Sequence, residues 1–244
     1  MNPVNPVNPV NPVRPFTEQA WERTAHLRAA IDGCRFLREL GEGTLDAAVF
    51  RHYLEQDEIY LAGYGRALAL LAARAPDTAA AAFWASAAHG AAVVETSLHG
   101  DLLGSGALPA ADGPAHASPT TLGYVSHLVA TAATAAYPVA AAAVLPCFWV
   151  YADVARRLAR SAAAVLDAGA HHPYARWVAA YDAEGFHASA ATARRLVDEA
   201  AAGLDDLEPL HEAFATATRY EHLFWETALH REDWPLPLAA PAPA

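Results

Sequence analysis

A thiol, two carboxylates and a set of phenols, each embedded in an apolar helical pattern, are the groups of this chain best suited to chemistry. In LPCFWVY, residues 145–151, Cys147 and Tyr151 stand one helical turn apart on a shared face. Free cysteine is commonly a small buried hydrophobe. As a thiolate it is a nucleophile, and it then needs a group that removes or stabilises its proton. No histidine lies near Cys147 in sequence, so any such group has to arrive through the fold. In YLEQDEIYLAGY, residues 53–64, Tyr53, Asp57, Tyr60 and Tyr64 recur at i, i+4, i+7 and i+11, setting a carboxylate within a stripe of phenols. Burying a carboxylate is costly unless it is paired or hydrogen-bonded. Asp57 is therefore either held by a structural arginine or accepts hydrogen bonds from a ligand.

In RYEHLFWETAL, residues 219–229, Glu221, Phe224 and Trp225 fall at i, i+3 and i+4. A carboxyl on an aromatic face is pushed upward in pKa by desolvation, as a general acid at neutral pH requires; the alternative is a surface Glu, the reading taken for Glu226. In YARWVAAY, Tyr174, Trp177 and Tyr181 form an aromatic stripe of the kind that packs a core. Glu95 and His99 read as a structural pair one turn apart. Helical bundles can also hold paired metals with Glu-x-x-His motifs. Glu184 with His187 and Glu208 with His211 match that spacing, but Gly185 and Pro209 put each near a helix end, so no metal site is assigned.

These side chains have to be positioned by helices. From Thr17 onward the chain is rich in Ala, Leu, Arg and Glu, with apolar residues three and four apart. The expectation is an all-α, compact bundle of about eight helices, over 17–31, 45–73, 76–101, 119–137, 139–166, 173–182, 186–201 and 206–230, with Thr44 as a cap of the second. The NPV repeat of residues 1–15 reads as an extended, disordered tail, residues 16–232 as one helical domain, and residues 233–244 as a Pro/Ala-rich tail. Leu128 to Val150 carries no charge and is long enough to span the roughly 30 Å hydrocarbon layer of a membrane. Its alanines, threonines and prolines argue instead for a buried bundle helix, because insertion is driven by Leu, Ile, Phe and Val.

Composition narrows the function classes. The formal net charge is -11, and every residue of the Lys/Arg class is Arg. No basic face for nucleic acid is expected. Two cysteines far apart, Cys34 and Cys147, without a CxxC pair, fit a reducing, cytoplasmic setting. Phosphate-cradling and HExxH motifs are absent.

Taken in order, the segments FxxxxW (Phe16, Trp21), GTL (Gly43 to Leu45), Phe50, YLEQDxxYL, ExxxH, SPTTLGY, LPCFWVY, YxxWVxxY and ExxFW resemble the TenA family, also called thiaminase II or aminopyrimidine aminohydrolase. The resemblance implies a heme-oxygenase-like helical bundle, usually a homotetramer, with a buried pocket and no metal or organic cofactor. It implies Cys147 as nucleophile, Glu221 as acid/base, and Asp57 holding the ring of a small-molecule pyrimidine. Tyr60, Tyr124 and Tyr151 correspond to pocket tyrosines, Phe224 to a stacking phenylalanine, and Tyr174 to a further pocket residue. The reaction so implied converts 4-amino-5-aminomethyl-2-methylpyrimidine, or thiamine, to the hydroxymethyl pyrimidine. Fold alone does not fix function. A metal-dependent oxidase on the same bundle and a regulatory or binding protein that keeps the pocket are the alternatives, and the joint presence of Cys147, Glu221 and Asp57 favours hydrolysis.

Overall fold

A computed structural model of the chain describes residues 14–95, 108–110 and 113–236. The NPV units before Arg14, the end of the Pro/Ala run, and the Glu95 and His99 side chains lie outside what is described. Among the described residues every regular element is helical: α1 (Phe16–Arg23), α2 (Ala25–Asp32), α3 (Arg35–Glu42), α4 (Ala47–Ala73), α5 (Thr78–His89), a π-helical turn (Gly90–Glu95), α6 (Pro119–Thr134), α7 (Tyr137–Asp167), α8 (Ala175–Tyr181), α9 (Glu184–Ala201) and α10 (Glu208–Leu229).

The departures from the expected helices have local causes. The first expected helix is two, broken at Thr24, whose hydroxyl donates to the Ala20 carbonyl and competes with the backbone ladder. The unforeseen α3 buries Phe36, Leu37 and Leu40 on one face and ends at Gly43, whose φ of 71° suits glycine. The cap of α4 is Asp46, not Thr44: its carboxylate accepts from the amides of Ala48 and Val49. Ser118 caps α6 ahead of Pro119.

The two long helices organise the rest. α4 packs against α5 and α6, while α7 packs against α9 and α10, and α10 also touches α4 and α6. Along α7 the alanines 140 to 143 are fully buried, small enough for neighbouring helices to approach closely. The apolar stretch of this helix is mostly buried inside the fold, so its lack of charge is that of a core helix. Gly63 on α4 faces Val125 on α6 so tightly that an added Cβ would lie 2.3 Å from a Val125 methyl. At the far end of α6 the Arg74 guanidinium donates to the carbonyls of Ala132 and Ala135, closing the helix C-terminus with a cation.

Candidate active site

Where α4, α6, α7 and α10 meet they leave a cavity of about 320 Å³, walled further by α5, α8 and α9. That is at the lower end for small-molecule sites. Of the residues singled out in the sequence, Asp57, Tyr60, Tyr124, Cys147, Tyr151, Glu221 and Phe224 all line it. Tyr174 does not. It sits at the N-cap of α8, where its ring packs on Phe50 and its hydroxyl donates to the Leu45 carbonyl, bracing the turn into α4. The tyrosine that α8 does send to the cavity is Tyr181, at the other end of the same stripe.

Cys147 is half-buried and its exposed part faces the cavity. The preceding residue, Pro146, lies inside α7 and supplies no amide hydrogen to the helix ladder. Beside it the Tyr64 hydroxyl donates to the Val144 carbonyl at 3.1 Å, fastening α4 to α7 next to the thiol. Tyr60, Tyr64 and Tyr124 are all close enough for charge on Cys147 to act on them. Burial first, and then charge on Cys147 for Tyr60 and Tyr64 and on Glu221 for Tyr124, holds these phenols well above the usual tyrosine range, so they stay protonated. The other cysteine, Cys34, is buried with its thiol 3.7 Å from a Glu226 carboxylate oxygen, and burial raises its pKa. A thiol so buried is held in its protonated form.

Glu221 is 4% exposed. Burial pushes its carboxyl up to about 7, opposed by a 2.6 Å hydrogen bond donated by the Tyr124 hydroxyl. A carboxyl so poised both gives and takes a proton at neutral pH. The Tyr124 ring is itself held by stacking on Tyr220, with centroids 5.0 Å apart and planes 6° from parallel. Asp57 is equally buried, and its charge bears on Tyr53 and Tyr151, whose hydroxyls share a 2.8 Å hydrogen bond. The Tyr60 hydroxyl is buried without a hydrogen-bond partner among the described residues, and its ring packs on Tyr124 and Phe224. A buried donor of this kind calls for an acceptor, which a bound ligand can supply.

Several positioning residues were not legible in the sequence. Gln56 donates from its amide to the His116 carbonyl and accepts from the Ser118 amide, both at 2.9 Å, which pins the segment that starts α6 and so sets Tyr124. Its signal was its place beside Asp57, which invited a reading as part of the site. Tyr64, Phe148 and Trp225 line the cavity as well, as the stripes around them allowed. The two Glu-x-x-His motifs do not converge. His187 bonds Asp182 at 2.6 Å and Glu208 pairs with Arg23 at 2.7 Å, and no group of three or more His, Cys, Asp or Glu among the described residues is arranged to hold a metal ion.

The profile of the TENA/THI-4/PQQC family matches residues 25–231. The chain is 37% identical over 221 residues to the thiamine biosynthesis multifunctional protein ThiED of Corynebacterium efficiens, covering 90% of this chain but only 29% of that longer protein. It is 29% identical over 202 residues to the aminopyrimidine aminohydrolase of Halalkalibacterium halodurans, covering 82% of this chain and 88% of that one. Among solved structures, the TenA homologue from P. horikoshii OT3 superimposes with a TM-score of 0.79 at 25% identity, over 89% of this chain and all of the other. A domain from Shewanella denitrificans with a heme oxygenase-like fold superimposes with a TM-score of 0.65 at 13% identity, over 89% and 93% of the two chains. The fold is heme-oxygenase-like, as the motifs implied.

Proposed function

We propose that this chain, which belongs to the TENA/THI-4/PQQC family, is a hydrolase of thiamine salvage that converts 4-amino-5-aminomethyl-2-methylpyrimidine, and thiamine, to 4-amino-5-hydroxymethyl-2-methylpyrimidine. One observation carries the reading: a thiol, a carboxyl poised near neutrality and a second buried carboxylate, Cys147, Glu221 and Asp57, line one small aromatic cavity. The name of the aminohydrolase from Halalkalibacterium halodurans supports the same substrate class.

The chemistry follows from the groups. A 4-aminopyrimidine is flat, electron-poor and basic at its ring nitrogen. Asp57 accepts from its amino group or protonated nitrogen, Phe224 and the tyrosines pack on its faces, and Tyr60 offers a hydroxyl donor. The Cys147 thiolate adds to the ring carbon adjacent to the one bearing the methylene. The electron pair gained by the ring expels the amine from the methylene, and protonated Glu221 gives the departing nitrogen its proton. Water then adds to the methylene and surrenders a proton to the Glu221 carboxylate, while the electron pair returns through the ring and the thiolate leaves. The balance is amine plus water to alcohol plus ammonia, with the enzyme restored; covalent addition divides one hard step into two easier ones.

Replacing Cys147 by Ser is expected to abolish turnover of the aminomethyl pyrimidine while circular dichroism and melting temperature stay those of the parent. An undiminished rate in that variant would remove Cys147 from the mechanism. The proposed setting is the cytoplasm, in line with two cysteines kept as thiols. The proposed assembly is a homotetramer, for which exposed Leu122, Leu223 and Val93 offer apolar surface; the mass in solution tests it.

A further inference from the structure

The cavity is not uniform along its length. Asp57, Tyr60, Tyr124, Glu221 and Trp225 at one side are buried, whereas Phe83, Ser86 and Ala87 of α5, Gly90 at the start of the π-helical turn, and Phe186 and Ser189 of α9 are half-buried or exposed. Among the described residues this is where the cavity meets solvent. It carries no ionisable side chain, only two phenylalanines, two hydroxyls and residues with little or no side chain.

Gly90 is the unusual member of this rim. It stands where α5 passes into the π-helical turn, with φ of -55° and ψ of -52°, a conformation any residue adopts. Among the described residues a Cβ added there meets nothing within 4 Å. Neither backbone geometry nor close packing among the described residues requires a glycine, and within a helix glycine costs about 1 kcal/mol relative to alanine. What its missing side chain leaves is open space at the cavity rim, at the start of a π turn, a helix form frequent at functional sites.

We infer that the α5–α9 rim is the leaving-group subsite of this enzyme and that Gly90, with Ala87 one turn before it, sets how large a leaving group the cavity accepts. This rests on the hydrolysis proposed above. If Asp57 and the tyrosines hold the pyrimidine inward with its methylene at Cys147 and Glu221, the group on that methylene points to the less buried α5–α9 side of the lining. An amine needs little of that space. A thiazole ring needs all of it. It enters as a cation and leaves neutral, because the bonding pair of the broken carbon–nitrogen bond returns to its ring nitrogen, and an apolar rim favours the neutral product.

The test compares thiamine with 4-amino-5-aminomethyl-2-methylpyrimidine as substrates of the parent, Gly90→Ala, Gly90→Leu and Ala87→Leu, with melting temperatures recorded for each. Gly90→Leu and Ala87→Leu are expected to lower kcat/KM for thiamine by about tenfold or more while that for the aminomethyl compound stays within about threefold, a steric discrimination of ordinary size for an apolar pocket. Gly90→Ala should melt slightly higher than the parent. If the leucine variants fold and reduce both substrates alike, or neither, the subsite assignment falls and the hydrolase reading stands. A parent enzyme that hydrolyses only the aminomethyl compound also overturns the assignment. A parent that hydrolyses neither overturns the hydrolase reading, and the subsite with it.

Discussion

Glu221 is the residue whose environment has the most consequences. Its carboxyl moves from an ordinary value of 4.5 to about 7 because it is buried, and the Tyr124 hydrogen bond only moderates the rise. The folded protein therefore holds that proton more tightly than the unfolded chain, and between pH 4.5 and 7 the unfolded state binds fewer protons. Stability falls as pH rises through this window and levels off above it, a loss of about 3 kcal/mol if the whole shift acts. Glu221→Gln removes the titration: its melting temperature, relative to the parent, should be markedly higher at pH 8 than at pH 4.5. The same variant should lose about a hundredfold or more in kcat, having no proton to exchange. Parallel melting curves across that pH range would show that the carboxyl does not titrate upward. The aromatic spacing around Glu221 made its raised pKa legible from sequence. Its Tyr124 partner, ninety-seven residues away, was not, because that distance closes only when α6 meets α10.

At the scale of elements, the site depends on how closely α4 and α6 approach. Gly63 permits that approach, since a Cβ there would be 2.3 Å from Val125, far inside any real contact. Valine has few rotamers to retreat into on a helix, so Gly63→Ala has to push the helices apart. Overpacking of this kind costs roughly 1–3 kcal/mol, enough to offset alanine's better helix propensity. For a chain of this size each kcal/mol lowers the melting temperature by about 2–4 °C. The displacement also spreads Tyr60 from Tyr124, whose ring centroids are 4.9 Å apart, so KM for the pyrimidine should rise together with the loss of stability. An unchanged melting temperature would mean that the two helices are not in tight register. The sequence announced the helices well where Pro or a capping residue punctuated them, as at Ser118-Pro119. It failed at Thr24, at α3 and at Asp46, where a side-chain hydrogen bond or a short apolar face decided the boundary.

For the molecule as a whole, period and composition sufficed for an all-helical fold, because the apolar residues recur at three and four over nearly every segment. Which stripes would face one cavity was a different matter. The carboxyls and thiol set the stripes of Asp57, Cys147 and Glu221 apart from the purely aromatic one carrying Tyr174, but periodicity cannot tell a helix face turned to a cavity from one turned to the core. Tyr174 turned to the core side and Tyr181 to the cavity because α8 is short and its two ends face different neighbours. A cavity held between α4, α6, α7 and α10 exists only while those helices stay together, so a ligand seated in it binds the folded chain and not the unfolded one. At a hundred times its Kd, such a ligand stabilises by about 2.7 kcal/mol. The hydroxymethyl pyrimidine product should accordingly raise the melting temperature by roughly 5–10 °C at that concentration. Asp57→Asn, which keeps the shape of the cavity wall but not its charge, should need several-fold more product for the same shift. If the product leaves the parent's melting curve where it was at millimolar concentration, the cavity is not a pyrimidine site.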